Sequence, residues 1–279
     1  MTKTQSYQQE WQGWLDNNLE RQCDPVELYN ILRENGFNTT VIQRMMGEAF
    51  PSHLGMDQKI SLDHQALYDT PLGKNDASLS VTRFDTDLFQ LYIIENFMSA
   101  ADCEHLIELS ASRLRPSEVT HSNGDDRFRT SSTGYFTDAP NPFVNGIEER
   151  IARTLGIRLP YSEPLQIQSY DVGQEFKAHH DYFAPDTDIY QTFAGKMGQR
   201  TWTFMVYLNS TPKGGGTFFT EIGHTFYPKQ GMAVIWNNLN ADGSTNPFTM
   251  HHGMPVEEGK KVIITKWFRE KGHGPMFYG

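Results

Sequence analysis

The sequence predicts a mainly β protein of the α+β class, and three observations predict it. Beyond Pro160 the chain becomes a series of short apolar runs, each bounded by Gly, Pro, Asn or Asp, as antiparallel strands are. Helical patterns precede these runs. Hydrophobic residues make up 38% of the 279 residues and aromatic residues 13%, enough for a packed core. Together they favour a double-stranded β-helix, a jelly-roll or cupin-like core with helical support.

The first 78 residues have a helical pattern. Trp11, Trp14 and Leu15 follow helical spacing. In DPVELYNILRENGF, Asp24 is a good N-cap and Pro25 occupies the first helical position. We therefore expect a small helical domain over residues 1–78 that ends in a polar linker, Tyr68 to Ser78.

The second domain is expected over residues 79–279. It starts with a strand in LFQLYIIENF and continues with two helices, SAADCEHLIELSASRL and NPFVNGIEERIARTLGI. Ser99 is the expected N-cap of the first of these helices. The strand series follows, in LQIQSYDV, TWTFMVYLN, GTFFT, GMAVIWNN and KVIITKWF.

Composition excludes several classes of protein. The net charge of −10 argues against non-specific nucleic-acid binding, which depends on a basic surface. Two distant cysteines, Cys23 and Cys103, indicate neither a disulfide framework nor a thiolate zinc site. The start of the chain is polar, and no apolar run approaches the roughly 20 residues that span a bilayer. We therefore expect a cytoplasmic protein without a membrane partner.

The stretch FKAHHDYF contains two adjacent histidines and an aspartate. Side chains alternate along a strand, so His179 and Asp181 share a face while His180 points the other way. Such a triplet is more often an ordinary solvated turn than a metal site.

A third histidine in HHGMPVEEGKK supports a metal site. Two histidines and one carboxylate form the facial triad of non-haem Fe(II) oxygenases. Three coordination positions then remain, two for a bidentate 2-oxo acid and one for dioxygen. The far carboxylate of the 2-oxo acid would need a cation.

Strand KVIITKWFR offers such a cation. Lys261 shares a face with Ile263 and Trp267, which favours an inward direction. A solvated lysine on an outward face is the commoner arrangement, because buried unpaired lysines are rare.

These segments resemble the prolyl 4-hydroxylase family. YDVGQEFKAHHDYF is similar to its tyrosine, glycine and H-x-D signature, and HHGMPVEEGKK to its histidine, proline and G-x-K signature. The resemblance is collinear over roughly residues 85 to 270. It also includes LYIIENFMSAADCEHLIEL, RTSSTGYF, GQRTWTFMVYLN, GGGTFF and YPKQGMAVIWNN.

The resemblance implies Fe(II) bound by His179, Asp181 and His251, and 2-oxoglutarate held by Lys261 and Tyr170. It implies that Arg200 and Trp267 line the substrate pocket. The expected reaction hydroxylates a prolyl residue of a peptide or protein with dioxygen and releases succinate and CO2. Ascorbate as a reductant and a homodimer are further expectations.

Three departures from the family pattern leave alternatives open. Phe176 replaces a tyrosine near the substrate and cannot donate a hydrogen bond. The acidic position before the distal histidine is blurred, and the glycine-rich turn has a third glycine. Because of Phe176, the expected chemistry could act on another side chain or a small molecule. A non-enzymatic jelly-roll protein that binds a partner is the third hypothesis.

Overall fold

The computed structural model describes residues 3–35, 37, 39–51, 62–69, 72–73, 79–117, 128–137 and 141–278. It divides into two compact units, Met1–Asp63 and His64–Gly279. The described helices are α1 Lys3–Glu20, α2 Pro25–Glu34, α3 Thr39–Met46, α4 His64–Tyr68, α5 Ala100–Ser110, α6 Pro142–Leu155 and α7 Asp188–Ala194. Each described helix is too short or too polar to cross a membrane.

The described strands all belong to the second unit. They are β1 Val81–Arg83, β2 Leu91–Ile94, β3 Arg115–Pro116, β4 Ser132–Tyr135, β5 Gln166–Tyr170, β6 Phe176–His179, β7 Arg200–Tyr207, β8 Lys213–Gly214, β9 Thr217–Phe219, β10 His224–Phe226, β11 Ala233–Asn237, β12 His251–Gly253, β13 Val256–Glu258 and β14 Lys261–Arg269.

The first unit is a small helical bundle around its own core. The Asp24 carboxylate accepts a hydrogen bond from the Val26 amide, and Pro25 begins α2, which confirms the predicted cap. The rings of Trp11 and Trp14 meet edge to face, with centroids 5.1 Å apart. Among the described residues, the buried core of this unit includes Leu15, Leu28, Leu32, Ile42, Met46 and Phe50.

The two units divide at residue 63, whereas the sequence expectation placed the end of the first domain at residue 78. Helix α4 belongs to the second unit because its carbonyls accept hydrogen bonds from the β-sheet region. The Trp202 indole donates to the Leu67 carbonyl at 3.1 Å, and the Gln90 amide donates to the Tyr68 carbonyl at 3.0 Å. Residues 70–71 and 74–78 of the expected linker lie outside the described residues.

The second unit has the predicted jelly-roll architecture. Its large antiparallel sheet has the order β1-β2-β11-β7-β14-β5-β4-β3, and a smaller sheet has the order β10-β9-β12-β6. The main core cluster joins residues of both sheets, including Tyr170 and Tyr207 of the large sheet and Phe219 of the small one. The Ser99 hydroxyl accepts from the Asp102 amide and caps α5, as predicted.

The third glycine of the GGGTFF turn has a steric reason. Gly214 and Gly215 adopt positive φ angles of 73° and 69°, which favour glycine. Gly216 has no such angle, but a Cβ atom there would lie 2.4 Å from a methyl group of Thr225. The turn therefore packs too closely against its neighbour for a side chain at the third position.

Two strand pairings position the site. In the small sheet, β6 and β12 pair so that His179 lies opposite His251. In the large sheet, β5 and β14 pair so that Tyr170 lies opposite Lys261. Alternation then sends Gln168 and Gln166 to the same side of β5 as Tyr170.

Candidate active site

Two side chains of the small sheet and one just beyond it meet at one point. His179 ends β6, His251 begins β12, and Asp181 follows β6 by two residues. The Nε2 atoms of the two histidines lie 3.8 Å and 4.0 Å from Asp181 Oδ1, and the ligand atoms of all three lie within 4.8 Å of one another. Two ligands about 2.1 Å from one ion lie at most about 4.2 Å apart, so both histidine–aspartate separations are within reach of a single divalent ion.

Backbone and hydroxyl contacts orient these three side chains. The Nδ1–H groups of His179 and His251 donate to the carbonyls two residues before each, at 2.7 Å and 3.0 Å. Both Nε2 lone pairs are therefore directed away from the backbone and are available to a metal. The Thr203 hydroxyl donates to Asp181 Oδ2 at 2.7 Å, which leaves Oδ1 free.

The protonation states suit metal binding at neutral pH. Burial lowers the pKa of His179 well below its usual value, and the neighbouring His251 lowers it further. Burial also lowers the pKa of His251. Burial alone would raise the pKa of Asp181, but His251, His179 and Arg200 lower it overall. Two neutral imidazoles and one carboxylate are the forms that ligate metals.

The neighbouring histidines have other partners. His180 is half-buried, stacks on Tyr182 and lies with Nε2 3.0 Å from the Pro247 carbonyl. His252 pairs with Glu175 at 2.9 Å. Strand alternation thus separates His179 and His251 from the histidine that follows each.

Lys261 lies in the pocket beside this trio and is only 1% exposed. Its ammonium nitrogen lies 5.0 Å from the ring centroid of Tyr170 and 5.7 Å from that of Tyr207. Among the described residues, no carboxylate lies within ion-pair distance of it. Burial lowers the pKa of Lys261 to about 7. The preceding Lys260 is half exposed and pairs with Asp171 instead.

Tyr170 lines the same pocket, opposite Lys261. Burial raises the pKa of its phenol, which therefore stays a neutral hydrogen-bond donor. Its hydroxyl donates to the Oε1 atom of Gln168 at 2.7 Å. Gln168 was not predicted from the sequence, although the alternating glutamines of LQIQSY on a buried strand are a signal for it.

Arg200 and Trp267 form one stacked unit at the pocket. The Arg200 guanidinium lies 3.9 Å over the Trp267 ring and makes two hydrogen bonds, of 2.6 Å and 2.7 Å, to Glu163. Arg269 also bonds Glu163, at 2.6 Å. Trp267 lines the pocket directly, whereas Arg200 contacts it through Trp267 and through the Asp181 carbonyl. The buried Trp267 N–H has no acceptor among the described residues.

Phe176 lies flat against a histidine of the trio. Its ring stacks on His179 with centroids 3.6 Å apart and planes inclined by 17°. The guanidinium of Arg129 lies 4.7 Å from the Phe176 ring centroid. A tyrosine hydroxyl is absent from this wall, as the sequence indicates.

Comparison with known proteins agrees with this geometry. A family model described as the 2OG-Fe(II) oxygenase superfamily matches residues 165–269. Prolyl 4-hydroxylase 2 of Arabidopsis thaliana is 31% identical over 201 residues, which cover 63% of this chain and 66% of the relative. The chain thus spans just under two thirds of that relative's length. Probable prolyl 4-hydroxylase 8 of the same plant is 30% identical over 229 residues, covering 74% and 76%.

A solved structure shows the same fold. The viral collagen prolyl hydroxylase of Paramecium bursaria Chlorella virus-1, in complex with 2OG, superposes with a TM-score of 0.52. The two chains are 24% identical, and the match covers 64% of this chain and 95% of the viral one.

Proposed function

Because the chain belongs to the 2OG-Fe(II) oxygenases and is prolyl 4-hydroxylase-like, we propose that it is a 2-oxoglutarate-dependent dioxygenase. Its proposed reaction hydroxylates a C–H bond of a prolyl residue in a peptide or protein and releases succinate and CO2. One observation carries the proposal: a His–Asp–His trio lies in the same pocket as a buried lysine that has no carboxylate partner among the described residues.

The donor set fits Fe(II). His179, Asp181 and His251 offer two imidazole nitrogens and one carboxylate oxygen, the facial set that leaves coordination positions open. Fe(II), with 2-oxoglutarate and dioxygen, supplies the oxidising power that replaces a C–H hydrogen by a hydroxyl group. The protein holds the ligands in their metal-binding protonation states and keeps Asp181 oriented through Thr203.

The other end of the pocket fits the far carboxylate of 2-oxoglutarate. Lys261 would supply a charge-assisted contact and Tyr170 a hydroxyl donor, and both are already desolvated by the fold. A buried ammonium without an anion is costly, and an incoming carboxylate would remove that cost. This argues against the purely structural, partner-binding alternative.

The substrate side is supported by Trp267. Its buried N–H lacks an acceptor among the described residues, and a peptide carbonyl would provide one. Arg200 would position the indole through their stacking contact, while Glu163 holds Arg200 in place. Phe176 supplies an apolar wall over His179.

A second candidate keeps the chemistry and changes the substrate to another side chain or a small molecule. The absence of a hydroxyl at Phe176 favours it, because a polar contact expected near a prolyl substrate is missing. Ascorbate as reductant rests on the family resemblance. A role of the helical first unit in substrate recognition or homodimerisation, and a cytoplasmic location, are likewise proposals.

The test is 2-oxoglutarate turnover in the full chain loaded with Fe(II). We expect succinate release that proline-containing peptides stimulate, with a gain of one oxygen atom in the peptide. Changing His179 to Ala or Asp181 to Ala should abolish both. Turnover that survives in either variant would contradict the assignment, and stimulation by non-prolyl compounds alone would favour the second candidate.

A further inference from the structure

A chain of hydrogen bonds runs along β5 from the pocket to a half-exposed tyrosine. The Tyr170 hydroxyl donates to Gln168 Oε1 at 2.7 Å, and Gln168 Nε2 donates to Gln166 Oε1 at 2.8 Å. Gln166 Nε2 in turn donates to the hydroxyl of Tyr135, which is 46% exposed on β4. The three side chains of β5 are almost fully buried, so water cannot replace a lost partner and the direction of each hydrogen bond determines that of the next.

Every donor in this chain points the same way, from Tyr170 towards Tyr135. A phenol has one O–H donor, so Tyr170 cannot donate to Gln168 and to a carboxylate at the same time. If Tyr170 donates to a carboxylate held by Lys261, its oxygen and Gln168 Oε1 become two acceptors in contact. A buried acceptor without a donor is destabilising, because it has lost its hydrogen bonds to water without replacement.

A glutamine amide can relieve that conflict without moving its neighbours. Rotation of the terminal amide by a half-turn exchanges Oε1 and Nε2 within nearly the same volume. Gln168 would then donate to Tyr170 and accept from Thr265, whose hydroxyl now lies 3.2 Å from Gln168 Nε2 and can donate or accept. Gln166 would have to turn as well, to donate to Gln168, and Tyr135 would change from acceptor to donor.

The reversal of the hydrogen bonds also affects Arg129, a cation that contacts Gln166 near Tyr135. An N–H of Arg129 donates to Gln166 Oε1 at 3.2 Å. When Gln166 turns, that N–H faces another donor and loses its acceptor. Arg129 keeps its contacts to Ser131 and Thr133, so the guanidinium stays in place with one donor released.

We propose that Gln168 is a positioning residue that couples 2-oxoglutarate binding to Tyr135 and Arg129 through reversal of this hydrogen-bond chain. The proposal rests on the proposed function, because the trigger is a carboxylate that accepts from Tyr170. It assigns Gln168 a role beyond packing: the co-substrate would change which hydrogen bonds the protein offers at Tyr135 and Arg129.

The test uses the side-chain amide signals of Gln166 and Gln168 in ¹⁵N NMR spectra of the full chain loaded with Zn(II), which is diamagnetic. Calorimetry measures 2-oxoglutarate binding on the same samples. In the native chain, we expect 2-oxoglutarate to shift both amide signals and, in ¹³C NMR spectra, the ring signals of Tyr135. In Gln168→Met, we expect 2-oxoglutarate still to bind, but the shifts at Gln166 and Tyr135 to be lost.

Two further variants separate reversal from a general disturbance. Tyr170→Phe removes the trigger hydroxyl and should both weaken 2-oxoglutarate binding and abolish the shifts when 2-oxoglutarate is present at saturating concentration. Thr265→Val keeps both glutamines and should retain the shifts. Equal shifts in Gln168→Met and the native chain, or no shift in the native chain despite binding, would overturn the coupling. An absence of 2-oxoglutarate binding to the native chain would instead overturn the proposed function, and the coupling with it.

Discussion

The lowered pKa of Lys261 predicts that the affinity for 2-oxoglutarate falls as the pH rises above 7. Burial lowers this pKa to about 7 in the free pocket, and an incoming carboxylate would raise it again. Binding therefore takes up a proton whenever the free lysine is neutral. The contribution of the Lys261 ammonium to the binding free energy is fully present below the lowered pKa. It is lost progressively as the pH rises above that value.

The size of the effect follows from the fraction of protonated lysine. With a pKa of about 7, roughly half of the free protein carries the ammonium at pH 7 and about 1% at pH 9. The affinity should therefore fall about 50-fold between these pH values, or about 2.3 kcal/mol. The lowered pKa values of His179 and His251 keep both imidazoles neutral over this range, so they add no protonation change of their own.

Calorimetry of 2-oxoglutarate binding to the Mn(II)-loaded protein provides the assay. Titrations at pH 8 in two buffers of different ionisation enthalpy should show uptake of close to one proton. Lys261→Arg is the matched control, because a guanidinium stays charged and should make the affinity nearly independent of pH. A flat pH profile in the native chain, or proton uptake that persists in the arginine variant, would refute the reasoning.

Three other predictions concern the surroundings of the pocket. Thr203→Val removes the hydroxyl that orients Asp181 and should weaken metal binding about 10- to 100-fold in metal titrations, whereas an unchanged affinity would exclude this role. Glu163→Gln removes the anion shared by Arg200 and Arg269 and should lower the free energy of unfolding, measured with denaturant, by about 3–5 kcal/mol. A loss below about 1 kcal/mol would contradict a buried ion cluster. Lys261→Met removes a buried charge and should stabilise the metal-free protein at pH 7 by up to about 4 kcal/mol. The same change should abolish 2-oxoglutarate binding. A melting temperature below that of the native chain would contradict the predicted stabilisation.

Strand periodicity accounts for most of what could be predicted. It placed His179 with Asp181 and separated both from His180, and it placed Lys261 on the inner face of its strand. These are local patterns, in which residues two positions apart share a face whatever the rest of the chain does. The predicted caps at Asp24 and Ser99 are local for the same reason.

Contacts between distant parts of the chain were outside the reach of such patterns. Glu163 lies between Tyr161 and β5, outside the helices and strands, and its partners Arg200 and Arg269 lie 37 and 106 positions away. The attachment of α4 to the second unit depends on Trp202, 135 positions beyond Leu67. No periodicity relates such pairs, so neither the ion cluster around Glu163 nor a division at residue 63 could be read from the sequence.

Strand β14 contains an internal comparison that bears on why Lys261 is unpaired. Lys261, Lys266 and Arg269 all lie on this strand and are 1%, 3% and 4% exposed. Lys266 forms an ion pair with Glu148 of α6, and Arg269 forms one with Glu163. The fold thus provides a carboxylate for two of its buried cations, as the cost of burying a charge requires.

Lys261 has none among the described residues, and it is also the cation of the three that lines the pocket with His179, Asp181 and His251. The simplest physical account is that its counter-ion arrives with the co-substrate.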